Sequence, residues 1–496
     1  MLHSFLLLVG LLPLSSSGHH VDDPWIRIQS PHFQLMTNGD KSQAVESLRR
    51  LERFRHVLSQ ILPTSKTSSL TPTYVVAFKN QSSYSPFLPL YNGKPQKLAG
   101  YFQRGPYKNY ITFDLSTSSR DYDEVIFHEL VHDLVQRDIP ACPLWLNEGL
   151  AEFLSTCTIS DGRIQMGRVQ PRHRYALSKG LLLPMERIFA ADRDSSLYTV
   201  PEQKAVFYAQ SLALVHYLMV GKDSSGSQQL ARLIHLLADG EGHVEALRET
   251  QIDSLNQELV AYVSRGAFGT ISLDLQTIEL EKTFDVLSLE PAEVDYLLGD
   301  LLLYMQRSEE SERFLRQAID KNPTLTNAYE SLGFLHLLRE ERQTAQRYFR
   351  LAIDLGSASH VAYYHYARTL TREYFLKDAA DSIPDDIAHS AVTALRSSLV
   401  LRPDFGDAAR MLGHIFLERN ENIAEGITHL QTSLSLGVKT PRLLFVLGQL
   451  QVKSGDHAGA TENLSWVIRR TDDAALRDAA QNELDRLEKR TRTERP

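Results

Sequence analysis

Cysteine is almost missing: Cys142 and Cys157 are the only two in 496 residues. That scarcity excludes a disulfide framework and a cysteine-rich zinc finger. The pair flanks a predicted helix, and fifteen helical residues span roughly 22 Å, far beyond the roughly 7 Å between bridged Cα atoms, so the two should not pair. Also missing, beyond residue 14, is any run of the roughly 18 apolar residues that a membrane span needs. Basic excess is absent as well. A formal net charge of −8 argues against nucleic acid as a main partner.

What is present is ordinary globular usage, 43% hydrophobic and 23% charged, over a length sufficient for two or three domains with real cores. The start of the chain differs from the rest. Phe5 to Leu14 is apolar and is followed by Ser15-Ser16-Ser17-Gly18, the length and small-residue exit of a secretory signal over residues 1–18, which implies a secreted or periplasmic protein. No cysteine lies near that exit, which argues against a lipid anchor.

The chemistry concentrates in His128-Glu129-Leu130-Val131-His132 and, shortly after, Leu144-Trp145-Leu146-Asn147-Glu148-Gly149-Leu150-Ala151-Glu152. Residues four apart lie one turn up on nearly the same helical face, so His128 and His132 can turn two imidazoles onto one ion. Glu129, one step round, can reach a water on that ion without taking a coordination position. A catalytic zinc wants three protein ligands and one open position, and Glu148 is the best third ligand. Pro140 and Pro143 should end the first helix and start a second that runs back beside it. Glu152, on the face of Glu148, is placed to accept the second N–H of a ligand histidine and fix its tautomer. A bare HExxH arises by chance in on the order of a few in a hundred such chains, so the second cluster and the apolar setting of Val125, Ile126, Leu130, Val131 and Leu134 carry the argument.

At HELVH and WLNEGLAEF the chain resembles the gluzincin metallopeptidases, in particular the peptidase MA-like domains often fused to tetratricopeptide repeats. The likeness covers roughly residues 28 to 270, with a weaker third motif at Phe207-Tyr208-Ala209-Gln210-Ser211-Leu212-Ala213. It implies a thermolysin-like α+β domain over 19–270 with one Zn²⁺ held by His128, His132 and Glu148. Glu129 would be the general base on a zinc-bound water, with Glu152 supporting a ligand from behind. The spacing from His132 to Glu148 is shorter than in the best-known gluzincins, which bears on loop shape and pocket more than on the ligand set.

Around this motif, His32–Thr37, Pro72–Phe78, Gly100–Gln103 and Asn109–Phe113 read as strands of a small mixed sheet, with an amphipathic helix from Lys41 to Leu62. Arg104 to Lys108 is a turn by composition. The likeness places this hairpin as an edge over the cleft, where an extended peptide could pair. A helix from Pro201 to Val220 carries Tyr208, the favoured donor to an oxyanion, and His216, the second choice.

From about residue 290 the pattern becomes a repeat. Gly299 and Gly333 are 34 positions apart, Ala367 is 34 further, and Gly413 and Gly448 are 35 apart, the tetratricopeptide period. Four to five units are expected over 291–490, with a surface loop at Thr371–Ala388, a capping helix at Asp473–Lys489 and a junction at 271–290. Such a solenoid has a concave face suited to a peptide or partner protein. A fragment ending near Glu290 is expected to stay folded, since solenoid units contact mainly their neighbours. Two functions compete. One is an exported zinc peptidase acting on a peptide or protein substrate; the other is an inactive peptidase-like scaffold that binds proteins.

Overall fold

A computed structural model describes residues 23–493 apart from 62–70, 92, 97, 140–141, 161–162, 180–181, 275–283, 377–382 and 472. The apolar run expected to be a signal lies outside the described residues. Strands β1 (Ile26–Gln29), β2 (Phe33–Thr37), β3 (Thr73–Phe78), β6 (Gly100–Gln103), β7 (Asn109–Asp114) and β11 (Asp285–Ser288) form one sheet in the order β11-β1-β2-β3-β7-β6. The centre, β2-β3-β7, is parallel, and the flanking strands run antiparallel. Strands β4 (Leu90–Tyr91) and β5 (Lys94–Pro95) make a small hairpin, and β8 (Thr158–Ser160), β9 (Arg163–Met166) and β10 (Ile271–Asp274) a second sheet.

The centre of the main sheet is buried on both faces, and its sequence shows why. Successive strand side chains point to opposite sides. Val75, Ala77, Ile111 and Phe113 pack against the helices Lys41–Ile61, Ser119–Asp138 and Leu144–Ser155 in the larger core. Val76, Phe78 and Tyr110 face the other way and meet Leu297, Leu298 and Leu301 of the helix Pro291–Tyr304. That helix is the first of the repeat. The 271–290 stretch is therefore not a plain junction: its last residues are β11, registered against β1 from Ile26↔Ser288 to Gln29↔Asp285.

Five helix pairs follow: Pro291–Tyr304 with Ser308–Lys321, Thr326–Leu338 with Arg342–Asp354, His360–Leu376 with Asp385–Leu401, Gly406–Arg419 with Ile423–Ser435, and Pro441–Ser454 with His457–Arg470. Ala474–Thr493 caps the stack. The recurring small residue marks where the two helices of a pair, or adjacent pairs, come closest. A Cβ at Gly333 would meet Phe349 at 2.8 Å, one at Gly413 would meet Val446 at 2.9 Å, and one at Gly448 would meet Leu464 at 3.0 Å. Ala367, fully buried, takes the same place in the third pair. The loop expected at Thr371–Ala388 is a correction: the first helix of that pair runs on to Leu376 and the next begins at Asp385, leaving 377–382 outside the described residues. Tyr374 still packs against the repeat core there, and that contact sustains the extra turn.

The shared core argues against the independence of the first domain. Leu298 is fully buried between sheet and repeat, so Leu298→Ala should cost about 2–5 kcal/mol. A chain ended at Glu290 bares the part of that face covered by Leu297, Leu298 and Leu301. It should be insoluble, or melt well below the full chain in a thermal scan; equal melting temperatures would show that the sheet needs no cover.

Candidate metal centre

The helix Ser119–Asp138 carries His128, Glu129 and His132, and Leu144–Ser155 carries Asn147, Glu148 and Glu152. Ile139 N–H closes the end of the first helix on the Val135 carbonyl, and Pro143, with its fixed φ of −62°, precedes the second helix. The two helices pack side by side.

Three side chains converge. His128, His132 and Glu148 offer ligand atoms that all lie within 4.8 Å of one another. The histidine Nε2 atoms are 3.0 Å apart, and Glu148 Oε2 is 3.6 Å from His128 Nε2 and 3.5 Å from His132 Nε2. Tetrahedral coordination at about 2.0–2.1 Å separates its ligand atoms by roughly 3.3 Å, so this triangle has the size of one face of a zinc site. Glu148 Oε2 is buried and has no hydrogen-bond partner, an atom that in a folded core needs an explanation. Burial would raise the Glu148 carboxyl, but the two imidazoles beside it bring it down to about 2, so it stays ionised. Two imidazole nitrogens and one buried carboxylate are the donor set zinc prefers, and the residues present fit the ion.

The neighbours of the triangle differ in part from expectation. His132 Nδ1 lies 2.9 Å from Asn147 Oδ1, so it is Asn147 that fixes this ring and leaves its Nε2 facing inward. Burial lowers the His132 pKa, yet Glu148 and Asn147 outweigh it and raise it overall. Glu152 faces His128 Nδ1, but at 4.0 Å, which is too long for a hydrogen bond. Its nearer partners are His173 Nε2 at 2.9 Å and an Arg172 guanidinium nitrogen at 3.1 Å. Burial opposes its charge, and His173 first among its partners holds the carboxyl below its ordinary range. His173, itself buried, has no local sequence signal.

Glu129 sits beside this triangle, partly exposed. Strand β6 packs against the Ser119–Asp138 helix that carries Glu129, and burial first, then the Glu129 charge, raises the phenol pKa of Tyr101 on that strand. Tyr208 on Pro201–His216 is near as well: burial and then the Glu148 charge push its phenol far above the ordinary value, so it remains a hydrogen-bond donor. His216 is removed from the candidates. It is fully buried, with Nε2 on the carbonyls of Gly167 at 2.9 Å and Gly269 at 3.1 Å, and Nδ1 on the Tyr262 hydroxyl at 2.8 Å. Both cysteines are free and outside the triangle. No helix among the described residues is long and apolar enough to cross a membrane.

No protein-family model and no curated protein matches the chain. Several solved structures resemble part of it. YrrB, described as a TPR protein with an unusual peptide-binding site, is 16% identical over 38% of this chain and 92% of its own, with a TM-score of 0.32. TTC0263, a thermophilic TPR protein of Thermus thermophilus, is 16% identical over 39% and 98%, with a TM-score of 0.29. PilW, a type IV pilus biogenesis factor, is 13% identical over 42% and 94%, with a TM-score of 0.31.

Glu148→Ala should purify without stoichiometric zinc, while Asn147→Ala should weaken zinc affinity by roughly 10 to 100-fold and Glu152→Ala, which removes no hydrogen bond to a ligand ring, by less. Chelator competition with metal analysis measures both. Full zinc content in Glu148→Ala would remove it from the ligand set.

Proposed function

We propose that the chain is a zinc-dependent hydrolase of peptide bonds, with His128, His132 and Glu148 as ligands. The observation that carries this reading is the convergence of three ligand atoms on one point, one of them the buried, unpartnered Glu148 Oε2. Zinc held there would polarise a carbonyl and make a nucleophile available at neutral pH. Glu129, one position from His128 and partly exposed, is placed to take a proton from the attacking water and pass it to the leaving amine. The Tyr208 hydroxyl, kept protonated by burial and the Glu148 charge, can donate to the developing oxyanion. Strand β6, at the sheet edge against the helix that carries Glu129, offers backbone groups to an extended substrate. An exported location, with the segment 1–18 removed, belongs to the same proposal.

A second reading is a protein-interaction scaffold without turnover. The five stacked helix pairs favour it. Such an array offers an extended face to peptides or proteins whether or not the triangle is active.

The two readings part on one variant. Glu129→Gln leaves the three ligands in place, so it should keep its zinc and lose cleavage of a peptide library; wild-type chain that binds zinc but cleaves nothing would leave the scaffold. Tyr208→Phe removes one hydroxyl and little volume, and kcat should fall by on the order of 100-fold with zinc retained. Turnover within about a factor of two of wild type would return Tyr208 to packing.

A further inference from the structure

The face of the repeat lined by the first helix of each pair, expected to receive an outside partner, is already occupied over its first three pairs. Its occupant is the turn Arg104–Lys108, which joins β6 to β7. Tyr107 lies among Phe334, His365 and Phe405, with ring centroids 5.7, 5.3 and 6.2 Å away, and its hydroxyl is 2.8 Å from His365 Nε2. Those three residues come from the second and third pairs and from the segment opening the fourth. Lys108 reaches the first pair: its Nζ is 2.9 Å from Asp300 and 3.3 Å from the Tyr296 hydroxyl, and it lies over the rings of Tyr74, Tyr296 and Tyr304. Gly105 is pressed so closely on Tyr304 that a Cβ there would fall 1.9 Å from the ring. An aromatic ring in a ring-lined pocket and a lysine on an acidic, aromatic floor are what a bound peptide would contribute to such a face.

The other end of the same hairpin is fastened to the ligand helix. The Arg104 guanidinium is 3.5 Å from Asp133, the residue after His132, and also bonds to Gln136. Asn109, at the start of β7, reaches Asp133 at 3.3 Å. One hairpin thus touches the repeat through Gly105, Tyr107 and Lys108, and the Ser119–Asp138 helix through Arg104, Asn109 and strand β6.

We propose that the turn Arg104–Lys108 is an internal ligand of the helical repeat, and that through it the repeat fixes the edge strand β6 against the helix that carries His128, Glu129 and His132. An outside peptide then meets an open face only beyond Phe405, on the fourth and fifth pairs. The first three pairs serve the site from within the chain. The consequence for turnover rests on the hydrolase reading; the mechanical coupling does not, and the test reads it directly.

Hydrogen exchange of the full chain is followed at three places: the β6 amides of 100–103, the Glu148 helix 144–155, which the hairpin does not touch through these bonds, and the distal pair 441–470. Tyr107→Ala, and from the groove side His365→Ala, should each speed exchange at 100–103 by at least roughly tenfold while the other two segments stay near wild type. Tyr107→Phe keeps the ring and loses one hydrogen bond, and should stay within about threefold of wild type at 100–103. Unchanged exchange at 100–103 in both alanine variants overturns the coupling. So does an equal rise in all three segments, which is general loosening. Zinc content measured on the same samples separates this outcome from failure of the hydrolase reading, because the coupling can hold in a chain that binds no metal.

Discussion

The constraint on which the rest of this molecule depends is a sheet that must be covered twice. In β3 the alternation of Val75 and Ala77 with Val76 and Phe78 leaves no side that water could face. One cover is the helix Lys41–Ile61 together with the pair that carries the His–Glu triangle; the other includes the opening helix of the repeat. A parallel centre of this kind is found almost only where both faces are packed. The two halves of the chain are therefore one folding unit around the sheet, whatever their separate chemistries.

That sandwich explains how the three side chains of the triangle are held together. The HELVH helix is pinned on its apolar side by Ile126, Phe127, Leu130 and Val131, all buried in the larger core. Phe127 stacks on Phe54 of the Lys41–Ile61 helix with ring centroids 3.8 Å apart. The histidines on the opposite side then meet Glu148 from a helix that is itself buried along nearly its whole length. Its Gly149 lies so close to the Ser211 carbonyl that a Cβ would come within 2.6 Å, bringing the Tyr208 helix against the ligand helix. Close approach of three helices, more than any one hydrogen bond, sets the positions of the candidate ligands.

The candidate ligands were legible because their signal is local. His128 to Glu152 spans two short helices whose period and proline punctuation announce their faces. Asn147 was within reach of the same reasoning, since it precedes Glu148 on the same helix and turns toward the adjacent ligand. His173 was not: its bond to Glu152 joins separate elements with no periodic relation. The sheet was legible in its centre, where β3 and β7 are six residues long, but not at β1 and β11, four residues each and brought together from opposite ends of the first half. Strand β6 is equally short and was legible because the turn at 104–108 marks it as one arm of a hairpin with β7. The turn at 104–108 was correctly a turn, and its composition said nothing of partners 192 and 258 positions away.

Those distant partners decide how the two halves meet. Apolar faces alone, Val76 and Phe78 against Leu298 and Leu301, would tolerate a slide of one helix along the sheet. The polar contacts between them do not. Asp300 is almost wholly buried, and its carboxylate receives Lys108, the Tyr110 hydroxyl and the Ser331 hydroxyl. Burial works against the Lys108 ammonium, but Asp300 more than offsets it and holds the lysine charged. A buried pair so satisfied adds little net stability over an apolar pair of the same size, yet losing one partner costs about 3–5 kcal/mol. The interaction therefore acts less as adhesive than as a register mark. It permits one position of the repeat on the sheet, and in that position the hairpin tip reaches its pocket and the edge strand packs against the helix that carries Glu129.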